Sequence, residues 1–311
     1  MRAIVVRKFG ATPELTDMPV PEPGAGTVRV QLEAAGVNPF DQRMATGYLD
    51  GRMPHDFPMI LGVDGAGTVS AVGPGVSRFA VGDRVVGKFL TSPAGHGSFA
   101  EYAVLPETAA LTRIPDGIPT GAAAALPTAG VTAQDIVDAT QITPNQTVLV
   151  VGATGGVGSF LVQLSNMAGA HVIATARGDA ADQMTRLGAA ETVDYTQGPV
   201  TAQVAAAHPA GVDVLFDVVS PPEAFAELTT LVREGGTAYS TIWSADEAAL
   251  RERGIKGGNI ESSGGAPELT RLLKRVAEGD VVVPIDAMVP LAGAASVIGA
   301  SGARGKTVLT I

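Results

Sequence analysis

The chain has 311 residues, 46% of them hydrophobic and 17% charged, and its formal net charge at pH 7 is −10. These values are typical of a globular protein of about two domains. The net negative charge and the lack of any cluster of lysines and arginines argue against a nucleic-acid or anionic-membrane partner. The absence of cysteine excludes disulfides, cysteine-bound metals and a thiol nucleophile.

Residues 1–118 consist of short alternating segments separated by Gly and Pro turns, which predicts a β-rich, barrel-like domain. The first ten residues alternate like a strand and carry charges where a secretory signal would need an apolar stretch. We therefore expect a cytoplasmic protein. The predicted strands of this part include Thr27–Glu33, Gly67–Val72, Arg84–Gly87 and Phe99–Val104.

Residues 119–256 alternate apolar strands with helical stretches, which predicts a doubly wound parallel sheet with crossover helices, an α/β fold. The uncharged stretch from Ala139 to Ala170 is interrupted by polar residues and glycines, so it does not predict a membrane span. Residues 257–311 are predicted to return to the first domain. The predicted elements are strand Thr147–Val151, helix 156–168, strand His171–Thr175, helix 179–187, strands Glu191–Asp194 and Val212–Val218, helix 222–233, strand Thr237–Thr241, helix Glu268–Ala277 and strand Lys306–Ile311.

The segment GATGGVG follows the apolar strand and opens a helix, the context that a dinucleotide fingerprint requires. Free backbone N–H groups and the helix dipole stabilise a pyrophosphate at such a helix N-terminus. Ala153 stands where the usual motif has its first glycine. Gly155, Gly156 and Val157 are predicted to line the phosphates, and Gly158 to let helix and strand pack closely.

Arg177 follows the next strand directly, at the place where an NAD-specific site has an acidic residue for the ribose 2′-hydroxyl. A guanidinium there suits the 2′-phosphate of NADP instead. The sequence therefore favours NADPH as the cofactor, and a solvated surface arginine is the alternative.

In blocks of sequence that extend over nearly its whole length, the chain resembles the medium-chain dehydrogenase/reductase superfamily, in its zinc-free quinone oxidoreductase (zeta-crystallin-like) branch. The resemblance implies a GroES-like catalytic domain with an inserted Rossmann domain, and a homodimer that pairs through Gly254–Ile260. The blocks include GVNPFD (Gly36–Asp41), LGVDGAGTVSAVGPGVSRFAVGDRVVG (Leu61–Gly87), GSFAEYAVLPE (Gly97–Glu107), AALPTAGVTA (Ala124–Ala133), LGAAETVDY (Leu187–Tyr195), FDVVS (Phe216–Ser220) and GKTVL (Gly305–Leu309).

The resemblance also implies roles for individual residues. Asn38 is expected near the nicotinamide and substrate, with a turn-capping asparagine as the alternative. Tyr48 matches the position of a tyrosine proton donor in related enoyl reductases, with an aromatic pocket wall as the alternative. Thr132, Tyr195 and Ser240 are expected to contact the cofactor, and packing is the alternative role for the first two.

No metal site is expected. Zinc-dependent members of the superfamily have a His-Glu pair after a glycine, where this chain has Gly62-Val63-Asp64. Valine cannot bind zinc, and the four histidines fall at no ligand spacing along the sequence.

Without zinc, the substrate must accept a hydride readily, as a quinone or an α,β-unsaturated carbonyl does. The sequence thus predicts an NADPH-dependent, zinc-independent oxidoreductase acting on a small quinone or enone. Two alternatives remain open: an enoyl-thioester reductase, and an NADPH-binding sensor or structural protein with little turnover.

Overall fold

Residues from both ends of the chain build one unit of the structure, and the middle of the chain builds another. The computed structural model describes residues 1–262 and 264–311. Its first compact unit contains Met1–Val131 and Gly264–Ile311, and its second contains Thr132–Ser263. The predicted domain boundaries, after residues 118 and 256, lie somewhat earlier along the chain.

Seventeen strands and nine α-helices are found among the described residues. The strands are β1 Arg2–Val6, β2 Glu14–Asp17, β3 Thr27–Gly36, β4 His55–Ile60, β5 Asp64–Val72, β6 Arg84–Lys88, β7 Ala94–His96, β8 Tyr102–Pro106, β9 Leu111–Arg113, β10 Thr147–Val151, β11 His171–Thr175, β12 Glu191–Val193, β13 Val212–Asp217, β14 Val232–Ser240, β15 Lys256–Asn259, β16 Ile285–Pro290 and β17 Lys306–Thr310. The helices are α1 Pro39–Ala45, α2 Thr120–Ala124, α3 Ala129–Thr140, α4 Gly156–Met167, α5 Ala181–Arg186, α6 Val200–Ala207, α7 Pro222–Thr229, α8 Glu247–Glu252 and α9 Ala266–Glu278.

The first unit is built from two sheets. One sheet has the strand order β2-β1-β4-β7, and the other has the order β16-β17-β3-β5-β6-β9, with β8 also paired to β3. The C-terminal strand β17 pairs antiparallel with β3, so that Val308 lies opposite Gly36. This pairing brings Lys306 close to the turn that follows β3.

The second unit is a six-stranded parallel sheet with the order β12-β11-β10-β13-β14-β15. Numbered within the unit, this order is 3-2-1-4-5-6, the Rossmann arrangement. Its strands are apolar because helices cover both faces, and Leu149, Ile173 and Leu215 are fully buried in its core. In open sheets of this kind, ligands bind at the carboxyl ends of the strands, where the strand order reverses between β10 and β13.

The sequence prediction was wrong for one helix of this unit. The helix expected over 222–233 ends at Thr229, because Val232 already pairs with Val212 as the start of β14. Three helices that lie wholly or mostly in this unit, α3, α6 and α8, were not predicted. In the described part of the chain, no helix is both long and apolar enough to cross a membrane.

Candidate active site

The predicted site residues fall into two groups, one on each unit. On the second unit, the glycine turn connects β10 to α4 at the carboxyl edge of the sheet. Gly152 has a φ of 82°, a left-handed conformation that favours glycine. Its N–H donates to Thr175 Oγ1 at the end of β11, at 3.0 Å. The requirement for glycine therefore falls on Gly152, whereas Ala153, one residue later, is simply buried.

Gly158 has the packing role that its place in the motif predicts. A Cβ atom on Gly158 would lie 2.1 Å from the carbonyl oxygen of Gly152, so only glycine lets α4 approach the turn this closely. A Cβ atom on Gly155 would meet only that same oxygen, at 3.5 Å. A Cβ atom at Gly155, at the N-terminus of α4, would therefore make one ordinary van der Waals contact and no clash.

This helix N-terminus fits a dinucleotide phosphate. The N–H groups of the first turn of α4, which includes Gly156 and Val157, have no acceptor within the helix. The first turn also carries no acidic residue that would repel an anion. Backbone donors and the positive end of the helix dipole together favour binding of a pyrophosphate.

The other predicted cofactor residues differ in their exposure and in the contacts that their side chains already make within the protein. Arg177 follows β11, and its side chain is 51% exposed with Asp179 at 3.8 Å. Tyr195, beyond β12, is half-exposed. Ser240 ends β14 and is buried, with its Oγ accepting from the N–H groups of Ile242 and Ser244 at 3.3 and 3.2 Å. Thr132 is also buried, near the start of α3.

Asp217, at the end of β13, was not singled out from the sequence. Its Oδ1 accepts from the N–H groups of Val219 and Ser220 at 3.0 and 2.9 Å. Its Oδ2 is buried and has no hydrogen-bond partner among the described residues. An unpaired buried carboxylate oxygen is costly, and this one lies at the same edge of the sheet as the glycine turn.

On the first unit, Asn38 lies in a buried polar cluster, defined here as Asn38, Asp41, Asp64 and Lys306. Asn38 Nδ2 donates to Asp64 Oδ2 at 3.0 Å and to the carbonyl of Gly36 at 3.3 Å. Its Oδ1 accepts from Lys306 Nζ at 2.5 Å. Both amide hydrogens of Asn38 are therefore engaged within the protein.

The two carboxylates of the polar cluster are held by further donors. Asp41 accepts a hydrogen bond from the backbone N–H of Asn38 at 2.7 Å and another from the N–H of Val63 at 3.0 Å. The first of these bonds caps the N-terminus of α1. Asp64 also accepts from the N–H and the hydroxyl of Thr128, at 3.0 and 2.7 Å. The cluster thus ties α1 to β5, to β17 and to the start of α3.

Burial dominates the ionisation of the polar cluster. It raises the pKa of Asp41 to about 7, and the neighbouring Asp64 charge adds to the rise, while Lys306 and two backbone N–H groups oppose it. Burial also lowers the pKa of Lys306 below its ordinary value, and the two carboxylates oppose that shift. Desolvation disfavours every charge here, which is why each charged atom has close partners.

Tyr48 lies just beyond α1 and is more accessible than Asn38. Its ring is flanked by the guanidinium groups of Arg52 and Arg43, at 4.7 and 6.0 Å from the ring centroid. Phe40 meets it edge-on at 6.0 Å between centroids. The side chain is 36% exposed. Tyr48 is therefore an accessible phenol held in place by cation–π and aromatic contacts.

The donor set at Gly62-Val63-Asp64 does not fit a catalytic zinc ion. Val63 is buried in an apolar group with Met44 and Ala94. Asp64 is committed to the polar cluster, and the chain has no cysteine to complete a ligand set.

Comparisons with known families agree with this architecture. A Rossmann-ordered sheet with a glycine turn, joined to a β-rich unit, is an architecture of dinucleotide-binding proteins. Residues 24–116 match the family described as Alcohol dehydrogenase GroES-like domain, and residues 156–256 match the family described as Zinc-binding dehydrogenase.

Individual relatives were also found. The chloroplast envelope quinone oxidoreductase homolog of Arabidopsis thaliana is 38% identical over 206 residues, which is 63% of this chain and 61% of that protein. Alcohol dehydrogenase 1 of Emericella nidulans is 31% identical over 264 residues, 76% of this chain and 74% of that protein. A mycocerosic acid synthase-like polyketide synthase of Mycobacterium tuberculosis is 41% identical over 158 residues, 50% of this chain and 7% of that protein. The chain thus spans about three fifths of the chloroplast relative that it matches.

Solved structures match over the full chain. An NAD-dependent alcohol dehydrogenase superposes with a TM-score of 0.87 at 32% identity, and covers 100% of both chains. The quinone oxidoreductase of Coxiella burnetii gives 0.88 at 25% identity, over 100% of this chain and 99% of that one. A mycobacterial protein complexed with NADPH gives 0.85 at 26% identity, over 100% of both chains. The chain belongs to the medium-chain dehydrogenase/reductase superfamily, and its first unit contains the GroES-like domain.

Proposed function

We propose that the protein is an NADPH-dependent oxidoreductase that reduces a small quinone or α,β-unsaturated carbonyl without a catalytic zinc ion. The observation that carries the proposal is the glycine turn at the carboxyl edge of the second unit, with a helix N-terminus free of acidic residues and with Arg177 beyond the next strand. Quinone oxidoreductases among the relatives support the substrate class.

NADPH, when bound, supplies the hydride. The first turn of α4 would hold the pyrophosphate through Gly155, Gly156 and Val157, and Arg177 would pair with the 2′-phosphate. Thr132, Tyr195 and Ser240 would complete the cofactor contacts. The similar mycobacterial structure that contains NADPH supports NADPH as the cofactor. Another similar structure is an NAD-dependent alcohol dehydrogenase, so the preference for NADPH over NADH has to be tested.

On the first unit, Tyr48 is the residue suited to proton donation. Reduction of an enone leaves negative charge on the carbonyl oxygen, and a neutral phenol can donate a proton to it. The accessible ring of Tyr48 and the positive charges of Arg43 and Arg52 favour this role. Asn38 acts instead as a positioning residue, because its amide already holds Asp64 and Lys306 in place.

The absence of suitable zinc ligands restricts the substrate. Zinc normally polarises a carbonyl for hydride attack, and Val63 offers no ligand for it. A quinone or an enone needs less polarisation, because the negative charge that develops on reduction is delocalised. The protein then contributes positioning and hydrogen-bond donors rather than a Lewis acid.

A substrate panel tests the function. NADPH oxidation should be measured with 1,4-benzoquinone, 9,10-phenanthrenequinone, a simple enone and a crotonyl thioester, before and after treatment with a chelator. We expect turnover of quinones or enones that survives chelation. Turnover lost together with bound zinc would contradict zinc independence, and no turnover of any of these substrates would favour a sensor or structural protein.

Tyr48→Phe tests the proton donor. We expect turnover on enones to fall by ~10²–10⁴-fold, the range for general acid catalysis. Quinones should be affected less, because water can protonate their weakly basic reduced oxygens. Tyr102→Phe is the matched control, since Tyr102 also lies beside an arginine, Arg29. An equal, small loss on both substrate classes would identify Tyr48 as a pocket wall.

A second candidate function is reduction of an enoyl thioester. It is favoured by the polyketide synthase relative, which matches half of this chain. The same panel separates the two candidates, because a thioester reductase would turn over the crotonyl thioester much faster than the free enone.

We also propose that the protein is a homodimer. β15 is an edge strand that pairs only with β14 among the described strands, and an unpaired strand edge is a template for a second copy. Light scattering at micromolar concentration should give twice the mass of one chain, and the mass of a single chain would contradict the proposal.

A further inference from the structure

A second polar group lies at the opposite edge of the six-stranded sheet. His171 is the first residue of β11, Glu191 is the first residue of β12, and His208 follows α6 directly. Because crossover helices run back against the strands, α6 ends where the neighbouring strands begin. Three chain segments therefore meet at the amino edge.

The strand register places the first two side chains on one face. Glu191 lies opposite Ile173, and His171 precedes Ile173 by two residues. Residues two apart on a strand point to the same face, as do directly paired residues on neighbouring strands. That face carries Val204 of α6 in the same core as Ile173, so the end of α6 brings His208 to the pair.

The three side chains converge. His171 Nε2 lies 2.6 Å from Glu191 Oε1, and His208 Nε2 lies 3.1 Å from Glu191 Oε2. One potential ligand atom from each residue lies within 4.8 Å of the others. In a tetrahedral zinc site with bonds of about 2.0–2.1 Å, ligand atoms stand roughly 3.3 Å apart. The three side chains are partly exposed, so rotations about their side-chain bonds can bring the ligand atoms from within 4.8 Å of one another to this spacing.

The chemistry of the group suits a metal ion. Two imidazoles and one carboxylate with an open fourth position form a known zinc ligand set. The C-terminal end of α6 adds partial negative charge that favours a cation. His96 and Asp56 form a contrasting pair, in which one imidazole lies 3.1 Å from one carboxylate and the described residues supply no third ligand. In the described part of the chain, His171, Glu191 and His208 are the one cluster of potential ligands that is this tight.

We propose that His171, Glu191 and His208 bind a divalent transition-metal ion, with zinc preferred and water as the fourth ligand. The site lies a strand length, about 16 Å for five residues, from the carboxyl edge that carries the glycine turn. It is therefore separate from the proposed cofactor site, and it shares no residue with the Gly62-Val63-Asp64 segment. It revises the expectation that the protein has no metal site, which rested on histidine spacing along the sequence.

Zinc binding should be measured directly on the full chain. Chelator-treated and dialysed protein is titrated with Zn²⁺ in competition with a chromogenic chelator. We expect one ion per chain with a Kd below about 10 µM. Co²⁺ should give the visible absorption of a tetrahedral site, and Zn²⁺ should raise the Tm of the wild type, since the ion binds the folded state.

Variants show where the ion binds. His171→Gln, His208→Gln and Glu191→Gln should each weaken zinc binding by at least about tenfold and abolish the Tm increase, with circular dichroism confirming the fold. His96→Gln should bind zinc like the wild type. Absence of saturable binding below 100 µM zinc, or binding that survives in the His171→Gln/His208→Gln double variant, would overturn the proposal. So would an equal loss in His96→Gln.

Discussion

The polar cluster of the first unit and the carboxyl edge of the second are both rich in polar groups, but they are built differently. In the cluster, Asn38, Asp41, Asp64 and Lys306 are buried and bonded mainly to one another. At the edge, the donors are backbone N–H groups, and the charged side chain of Arg177 is half-exposed. Residues of the cluster therefore stabilise the fold, whereas groups at the carboxyl edge remain available to bind a ligand.

Lys306→Met gives the largest expected effect. It removes the only cation of the polar cluster and leaves Asn38 Oδ1 without its donor. Removing one partner from a buried charged network lowers the free energy of unfolding by about 3–5 kcal/mol. We expect a loss of this size in the free energy of unfolding, measured by urea denaturation.

Lys274→Met is the control for this substitution. Lys274 lies on α9 of the same unit, is exposed, and forms an i,i+4 pair with Glu278 at 3.7 Å. Such pairs contribute only about 0.3–0.5 kcal/mol. If Lys306→Met and Lys274→Met had similar free energies of unfolding, the polar cluster would not have the stabilising role that distinguishes it from the carboxyl edge.

Arg177→Ala tests the other side of the comparison. Charge-assisted hydrogen bonds to the 2′-phosphate contribute about 1.5–3 kcal/mol, or roughly ten- to a hundredfold in affinity. We expect the KM for NADPH to rise by this factor, the KM for NADH to stay nearly constant, and stability to be unchanged.

Arg186→Ala is the matched control, because it removes the same charge from the exposed end of α5. Added salt should weaken the NADPH preference of the wild type, since Arg177 is half-exposed. A wild type that prefers NADH, or an Arg177→Ala variant that loses both cofactors equally, would show that the role given to Arg177 is wrong.

Asp41 gives a pH test of the buried cluster. The pKa of Asp41 is about 7 in the folded protein, against an ordinary value of 3.8. Between these pH values, its carboxyl holds a proton in the folded chain that the unfolded chain has released. The stability it confers is therefore fully present at low pH and is lost as the pH rises to about 7.

Asp41→Asn removes this titration. Between pH 5.5 and 7, we expect the stability of the wild type relative to Asp41→Asn to fall by at most about 2 kcal/mol. Urea denaturation at several pH values gives the difference. A difference that grows as the pH rises would mean that Asp41 is ionised throughout and stabilised by its backbone donors.

Local patterns made the glycine turn and its flanking strands predictable. The predicted bounds of β10 and β11 agree with the structure, because each is a short apolar run with a clear end. The role of Gly158 also followed from the motif. By contrast, half of the residues of α6 are alanines and the helix buries only Val204, so its sequence has no strong amphipathic pattern.

Long-range contacts were beyond the sequence. The bond between Lys306 and Asn38 joins residues 268 positions apart, and nothing near either residue indicates the other. His171, Glu191 and His208 come together because β11, β12 and α6 share an edge of the sheet, although successive residues of the group are 20 and 17 positions apart. Only the fold reveals these groups.

The order of the two units along the chain has a consequence for biosynthesis. The first unit needs residues on both sides of the second, since β3 pairs with β17 across the whole intervening segment. On the ribosome, the continuous second unit can close while β3 still lacks one neighbour. The emerging chain therefore exposes that strand edge until β17 leaves the exit tunnel, and a chaperone would have most to protect during this interval.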